Sequence, residues 1–537
     1  MAKKKFIIVS NRLPVTVSKQ NGKLVYGQSS GGLASALDRF HKNKKDILWI
    51  GWPGICSDDV TDEEKELITQ RLKQAGYHPI FLTRKQVKKY YDGYANDTIW
   101  PLFHYFQTFV QHDTSYWQAY DDVNDLFAKE VIEHSDKNTT IWVHDYHLML
   151  LPRKIRARIP NSTIGFFLHT PFPSYEIFRL LPNRNDIING LLGANLVGFH
   201  VYDYARHFLK SALRVRGLES ANGAILVGKR SVRIDAFPIG IDYKKFAGAE
   251  KDTKTAAELK SLDSHYKDKQ IILSMDRLDY SKGILRRLKA YEQFLKHYPE
   301  YQEKVVLVMI AVPSRVEVST YKNLKNEIEQ TISKINGTYS TVGWNPISYQ
   351  FRNLPFEQVS ALLIRADVAL LTPLRDGMNL VAKEYIAAKQ NDRQGVLVLS
   401  EMTGAIDEMP EAISVNPNDI NSMREAIVQA LEMPKSLQLR KIKSMQKRLS
   451  QYTVNRWAQD FIEQLEKAKR VQELRSNKLI DTSSEQKILR GFKNSKRRLI
   501  MLDYDGTIAG LVSSHDPEKS KPPEELLTML KKISKLP

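Results

Sequence analysis

Ile271-Ile272-Leu273-Ser274-Met275-Asp276-Arg277-Leu278-Asp279-Tyr280-Ser281-Lys282-Gly283 decides the fold class. Ile271 to Met275 is an apolar run of strand length that breaks into a polar turn ending in glycine. An amphipathic stretch, Arg286 to His297, follows, and then a second apolar run, Val305 to Ile310. Strand, helix and strand in that order make a parallel crossover unit. The pattern repeats downstream, with a helix expected over Val316 to Ile335 and strands over Val368 to Leu371 and Val396 to Leu399. It also occurs upstream, with strands expected at Phe6 to Ser10, Ile47 to Ile50, Ile141 to Val143, Thr163 to Leu168 and Leu196 to Phe199. The class is therefore α/β, with two doubly wound units joined near Pro238-Ile239-Gly240-Ile241-Asp242. Ligands of such sheets bind beyond the carboxyl ends of the strands, so two facing units would share one cleft.

The chain has 537 residues, enough for about three domains of the usual ~100 to 200 residues. Its apolar runs fall far short of the roughly 20 residues that span a bilayer, so no membrane role is expected. Phe6 to Val9 is too short for the apolar region of an export signal. The single cysteine, Cys56, excludes an intrachain disulfide and suits a reducing, cytoplasmic setting. A net charge of +19 invites a nucleic-acid reading. The lysines are spread along the chain without zinc-finger spacing or an RNA-binding aromatic signature, so a solvated basic face is the better reading and no nucleic-acid partner is expected.

The chemistry gathers where strands end. Ser29-Ser30-Gly31-Gly32-Leu33 precedes a helical pattern, Leu33 to Phe40, and would let backbone amides approach a phosphate or a sugar; Arg12 stands just past the first strand. Ile141 to His147 sets His144, Asp145 and His147 at one strand end, and Gly165 to Pro173 sets His169 at the parallel position one strand over. His144 and His147 could share a zinc ion, but further ligands are missing, and hydrogen bonding to sugar hydroxyls is the better reading. In the second unit Arg277 and Lys282 offer two cations at a turn into a helix, an arrangement suited to a diphosphate. Thr372 to Glu384 also leaves a strand for a helix, with Asp376 at its entrance as sugar ligand or N-cap and Glu384 as an acceptor for ribose hydroxyls.

Together these segments resemble the trehalose 6-phosphate synthase family, retaining glycosyltransferases built from two Rossmann-like domains (the GT-B fold), from Ile7 to about Leu465. The resemblance rests on Ser10-Asn11-Arg12, Ser30-Gly31-Gly32, Gly51-Trp52-Pro53-Gly54, Tyr90-Tyr91-Asp92-Gly93, Trp100-Pro101, His144-Asp145-Tyr146-His147, Arg277 to Gly283 and Asp376 to Glu384. It implies an acceptor domain over 1–240 and a nucleotide-sugar domain over 241–480. It implies that UDP-glucose meets Arg277 and Lys282 through its diphosphate, Leu380 nearby, and Glu384 through its ribose. Gly32, Asp145, His169 and Asp376 would surround the donor glucose, with Arg277, Lys282, His169 and Asp145 as the catalytic set. Glucose 6-phosphate would meet Arg12, Trp52, Tyr91, Trp100 and Arg315. No cofactor or metal is implied for this reaction. The sequence leaves a UDP, GDP or ADP donor open, and also a homo-oligomer. Two alternatives are a relative that uses another phosphorylated acceptor, such as glycerol 3-phosphate, and a catalytically silent sugar-phosphate sensor.

From Ser436 to Asn477 the chain reads as helix, with Trp457, Phe461 and Leu465 as an apolar packing stripe. A polar linker is expected over 481–498, then a strand over Leu499 to Leu502 that opens a third segment, 499–537. Leu502-Asp503-Tyr504-Asp505-Gly506-Thr507 resembles the opening motif of haloacid dehalogenase phosphatases, which implies Asp503 as nucleophile, Asp505 as acid/base and magnesium nearby. The later motifs of that site are missing, so the expectation is an inactive start of a trehalose 6-phosphate phosphatase domain, cut from a longer bifunctional enzyme.

Overall fold

The computed structural model describes residues 5–28, 37, 40–41, 46–136, 138–314, 319–478, 482–504, 507–509 and 521–535. The chain forms two compact units, Met1–Gln472 and Glu473–Pro537.

The first unit contains both expected sheets. One is built from β1 (Phe6–Arg12), β4 (Ile47–Trp52), β5 (Tyr77–Pro79), β6 (Thr140–His144), β7 (Thr163–Phe167), β8 (Leu196–Phe199) and a hairpin of β9 (Ser220–Ala221), β10 (Ala224–Val227) and β11 (Arg230–Ala236), with a side ribbon of β2 (Val15–Gln20) and β3 (Lys23–Gln28). The other holds β12 (Gln270–Arg277), β13 (Val305–Val312), β14 (Ile347–Phe351), β15 (Val368–Leu371), β16 (Val396–Ser400) and β17 (Ile413–Val415). The nine-stranded sheet runs β5-β4-β1-β6-β7-β8-β11-β10-β9 and the six-stranded one β14-β13-β12-β15-β16-β17. In each, the chain starts at a central strand, fills one side and then crosses to the other. The order reverses between β1 and β6 in the first sheet and between β12 and β15 in the second, and an open parallel sheet offers a ligand crevice at that reversal.

Both sheets are covered on both faces, so their central strands are apolar throughout. β6 and β7 are buried along their whole length. Alternation still assigns faces: Ile7 and Val9 join one core layer, and Ile8, between them, joins the other.

The stripe Trp457, Phe461, Leu465 on helix Val454–Lys478 packs as expected, but against the first sheet rather than the second. Phe461 stacks on Trp142 at 4.7 Å and 13°. A β-carbon at Gly165 or Gly198 would stand 2.7 Å from the Phe461 ring, so only glycine lets this helix lie so close to β7 and β8. The helix therefore runs back across the junction and ties the chain's later part to its earlier sheet.

The second unit departs from expectation. The sequence predicts a linker over 481–498, yet Thr482–Asn494 is helical, its Ile488, Leu489 and Phe492 recurring at helical spacing. The strand expected over Leu499 to Leu502 does not form. Leu499 and Met501 are 84% and 85% exposed, and a strand without a neighbour leaves its backbone groups unpaired. Helix Glu524–Ile533 follows. No helix among the described residues is long and apolar enough to cross a membrane.

Candidate active site

At the reversal point of the first sheet, β1 delivers Arg12 and β6 delivers His144 and Asp145. The Arg12 guanidinium lies 4.7 Å from the Trp52 ring centroid and donates to Thr16 Oγ1 at 3.1 Å. Its Nε is buried without a hydrogen-bond partner, and among the described residues no carboxylate is paired with it. Burial lowers its pKa from the ordinary arginine value. Gly54, at φ +95°, makes room, because a β-carbon there would fall 2.4 Å from Arg12 Nη2. A desolvated cation without a counter-charge is costly unless an anion completes the site.

Aromatic rings wall this pocket. Tyr91 meets Trp52 edge-on at 5.9 Å and stacks on His147 at 5.6 Å and 11°. Tyr91 sits on Val87–Ile99, a π-helical segment, a form that is rare and concentrated at functional sites. The segment feeds Trp100, whose ring lies under the Arg277 guanidinium at 5.5 Å. His104, one turn beyond Trp100, donates from Nδ1 to the Trp100 carbonyl oxygen at 2.8 Å, and burial lowers its pKa to about 4.

Three adjacent strand ends carry a row of histidines. His144 Nδ1 lies 3.2 Å from His169 Nε2, and the His169 and His200 rings are 5.2 Å apart. Desolvation lowers all three, His200 to about 3, so the row is neutral at physiological pH. Asp145 holds a positive φ of 74° and accepts from the His169 amide at 3.2 Å. Its carboxyl is raised to about 6 by burial, against the pull of two backbone amides and Arg277.

At the reversal point of the second sheet, Lys282 Nζ and Asp376 Oδ2 form an ion pair at 2.6 Å. Burial, the largest single influence, would raise the Asp376 pKa, but Lys282, with His104 and Arg277 adding to its pull, makes the net shift downward. Asp376 is not the N-cap. Asn379, at φ +80°, caps helix Leu380–Ala388 by accepting from the Ala382 amide at 3.1 Å. The two expected cations also differ: Lys282 is committed to Asp376, whereas Arg277 forms no ion pair among the described residues and projects toward Trp100. Leu380 is partly buried at the helix start, and Glu384, one turn on, is raised to about 7 by burial, with Lys245 opposing.

The fully buried Arg287 supports this turn. It binds Asp276 at 2.6 Å, Thr372 Oγ1 at 3.1 Å and the Lys282 carbonyl at 3.1 Å, which fixes the loop carrying Lys282 to the ends of β12 and β15.

The two walls touch. The Tyr204 hydroxyl donates to the Asp376 carbonyl at 3.3 Å, Arg375 lies over Tyr105 at 4.1 Å, and Lys383 Nζ donates to the Ile239 carbonyl at 2.7 Å. The structure thus gathers Arg12, Trp52, Tyr91, Trp100, Asp145, His169, Arg277, Lys282, Asp376, Leu380 and Glu384 along two facing strand-end rows. Gly32, Arg315 and Asp505 lie outside the described residues. Asp503 is exposed in the second unit, and among the described residues no ligating side chains cluster around it. The sequence reading missed His104, His200 and Arg287. His200 carried a usable signal, since it follows the Leu196–Phe199 strand at the position parallel to His169.

Residues 4–467 match the family described as Glycosyltransferase family 20. The chain belongs to that family. It is 41% identical over 546 residues to the bifunctional trehalose-6-phosphate synthase/phosphatase of Thermoproteus tenax, covering 99% of this chain and 73% of the relative. It is also 41% identical to the UDP-forming α,α-trehalose-phosphate synthase of Candida albicans, covering 88% of this chain and 100% of that one. Among solved structures it resembles the UDP-forming synthase of Burkholderia xenovorans in complex with glucose-6-phosphate, with a TM-score of 0.77, 31% identity, and coverage of 86% and 100%. It resembles equally the E. coli protein bound with UDP-2-fluoro glucose, with a TM-score of 0.77, 31% identity, and coverage of 86% and 98%. The GT-B architecture expected from the sequence is shared with these structures.

Proposed function

We propose that this protein transfers glucose from UDP-glucose to glucose 6-phosphate with retention of configuration, giving α,α-trehalose 6-phosphate and UDP. The observation that supports it most is the Arg12 guanidinium at the first sheet's reversal point, desolvated, backed by Trp52 and without a carboxylate partner among the described residues, opposite the Lys282–Asp376 pair of the second. An anionic acceptor supplies the charge Arg12 lacks, and the rings of Trp52 and Tyr91 suit the apolar face of a pyranose.

In this reading the donor diphosphate enters between Arg277 and Lys282, and its negative charge competes with Asp376 for the Lys282 ammonium. Asp376, released, accepts from glucose hydroxyls, while Glu384 accepts from the ribose. The bond from glucose C1 to the diphosphate oxygen breaks as the acceptor's C1 hydroxyl oxygen bonds to C1 on the same face. The hydroxyl proton passes to the departing diphosphate oxygen. Arg277 and Lys282 stabilise the charge that grows there, an effect typically of several kcal/mol in a water-poor site. Neutral His169 offers a hydrogen bond without adding charge, and the closed walls exclude water.

Incubating the protein with UDP-, GDP- or ADP-glucose and either glucose 6-phosphate or glycerol 3-phosphate, then identifying the product by mass and NMR, tests the reading. An α,α-linked disaccharide phosphate formed fastest with UDP-glucose is expected. A β-linked product, glucosylation of glycerol 3-phosphate instead, or no transfer from any donor would overturn it.

A further inference from the structure

His78, on the edge strand β5, and Glu130 and His134, one helical turn apart at the end of helix Thr114–Glu133, converge outside the cleft. His78 Nε2 lies 2.8 Å from Glu130 Oε2, and the two imidazole rings are 4.2 Å apart at 51°. One ligand atom from each of the three residues lies within 4.8 Å of the others. A hydrogen-bonded clamp between β5 and the helix would need only His78 and Glu130. The second imidazole is oriented as well: His134 Nδ1 lies 2.9 Å from the Glu130 backbone carbonyl, an acceptor, so Nδ1 carries the proton and the Nε2 lone pair is free to coordinate.

We propose that His78, Glu130 and His134 bind a divalent transition-metal ion of zinc's chemistry through two imidazole nitrogens and one carboxylate oxygen, with water at the remaining position. Tetrahedral zinc with bonds of ~2.0 to 2.2 Å sets its ligands about 3.3 to 3.5 Å apart, so the present atoms need shifts of about 1 Å or less. The His78 and Glu130 side chains are each 22% exposed, which leaves an entry path. β5 is the outer strand of its sheet, two strands from β1, which carries Arg12, and four from β7, which leads to His169, so the site lies to the side of that row. The ion therefore has no part in glucosyl transfer. It would pin the short outer strand β5, which pairs only through Tyr77 to Pro79, onto the helix behind it.

The test uses the full chain without a histidine tag, stripped with a chelator, dialysed, and titrated with Zn²⁺ and separately with Co²⁺. One equivalent of zinc per chain, a visible cobalt spectrum of four-coordinate type and a higher unfolding temperature with zinc are expected. His78→Gln and His134→Gln should each abolish the cobalt spectrum and the thermal shift while glucosyl transfer persists. Absence of uptake by the unsubstituted protein overturns the proposal whether or not the variants fold. So does uptake that both folded variants retain.

Discussion

Gly377, in the turn after β15, lies against the carbonyl oxygen of His169, in the loop after β7: a β-carbon at residue 377 would fall 2.2 Å from it. The two walls of the cleft meet here through backbone alone. Gly377→Ala is expected to hold the walls apart while leaving each sheet intact. Misplacement of reacting groups by about 1 Å costs on the order of 100-fold in rate, so kcat/KM should fall by about that factor with little change in unfolding temperature. Steady-state kinetics beside a thermal melt check this, and an unchanged kcat/KM would show that the contact has no bearing on catalysis.

The Lys282–Asp376 pair predicts a trade between binding and turnover. In Asp376→Asn the lysine no longer has a competing anion, so UDP should bind as tightly as in the unsubstituted protein or more so. Turnover should fall by about 10- to 1000-fold, because the sugar loses a charged acceptor. Isothermal titration with UDP and single-turnover transfer separate the two effects. Weaker UDP binding would mean that Asp376 helps to hold the nucleotide rather than competing with it.

Strand positions and the polar residues that end them were legible because apolar runs of strand length stop abruptly at Arg12, His144, His169 and Arg277. The order of strands was not, since periodicity identifies a strand but not its neighbour. The β10–β11 hairpin escaped notice because its outer positions are polar, with Arg230, Arg233 and Asp235 in β11. The return of Trp457 and Phe461 to the first sheet was hidden for another reason: the helix stripe names an apolar face, while its seat is made by the missing side chains of Gly165 and Gly198. Leu499 to Leu502 misled because strand propensity cannot act without a neighbouring strand.

His144 is a positioning residue for His169, to which it is linked at 3.2 Å. Its own ring also packs on Trp142 at 4.4 Å, so His144→Phe keeps the packing and loses the hydrogen bond. Turnover is expected to drop by about 10-fold, the worth of one hydrogen bond, with the donor KM little changed. His144→Asn, which keeps a polar partner, should recover part of the loss. A merely structural role would instead show as equal loss in both variants together with a lower unfolding temperature.

Glu384 carries the clearest pH signature. Its folded pKa, about 7, stands above its ordinary value of 4.5, so the folded protein holds a proton that the unfolded chain releases between those limits. Stability therefore falls as pH rises from about 4.5 to 7, by up to about 3 kcal/mol for this group. Glu384→Gln should remove that loss, raising the unfolding temperature at pH 8 but not at pH 4.5. The donor KM should rise, because the ribose loses an anionic acceptor. Melts across pH with and without UDP test both parts, and a variant no more stable at pH 8 would place the cost elsewhere.

Arg12 should show the same opposition between stability and function in sharper form. Its guanidinium is desolvated with no carboxylate beside it among the described residues, and the downward pKa shift means that folding disfavours the charged form. Arg12→Met fills the space against Trp52 with an uncharged chain, so the unfolding temperature should stay level or rise. Loss of a charge-assisted contact worth about 2 to 3 kcal/mol should raise the KM for glucose 6-phosphate by roughly 30- to 150-fold and leave UDP affinity alone. Arg12→Lys is expected to recover little, since a lysine ammonium cannot reproduce the planar contact with the Trp52 ring or two parallel bonds to a phosphate. If glucose 6-phosphate bound the methionine variant as well as it binds the original protein, the acceptor phosphate would have to sit elsewhere. An intact UDP response in the same sample would keep the donor side of the reading standing.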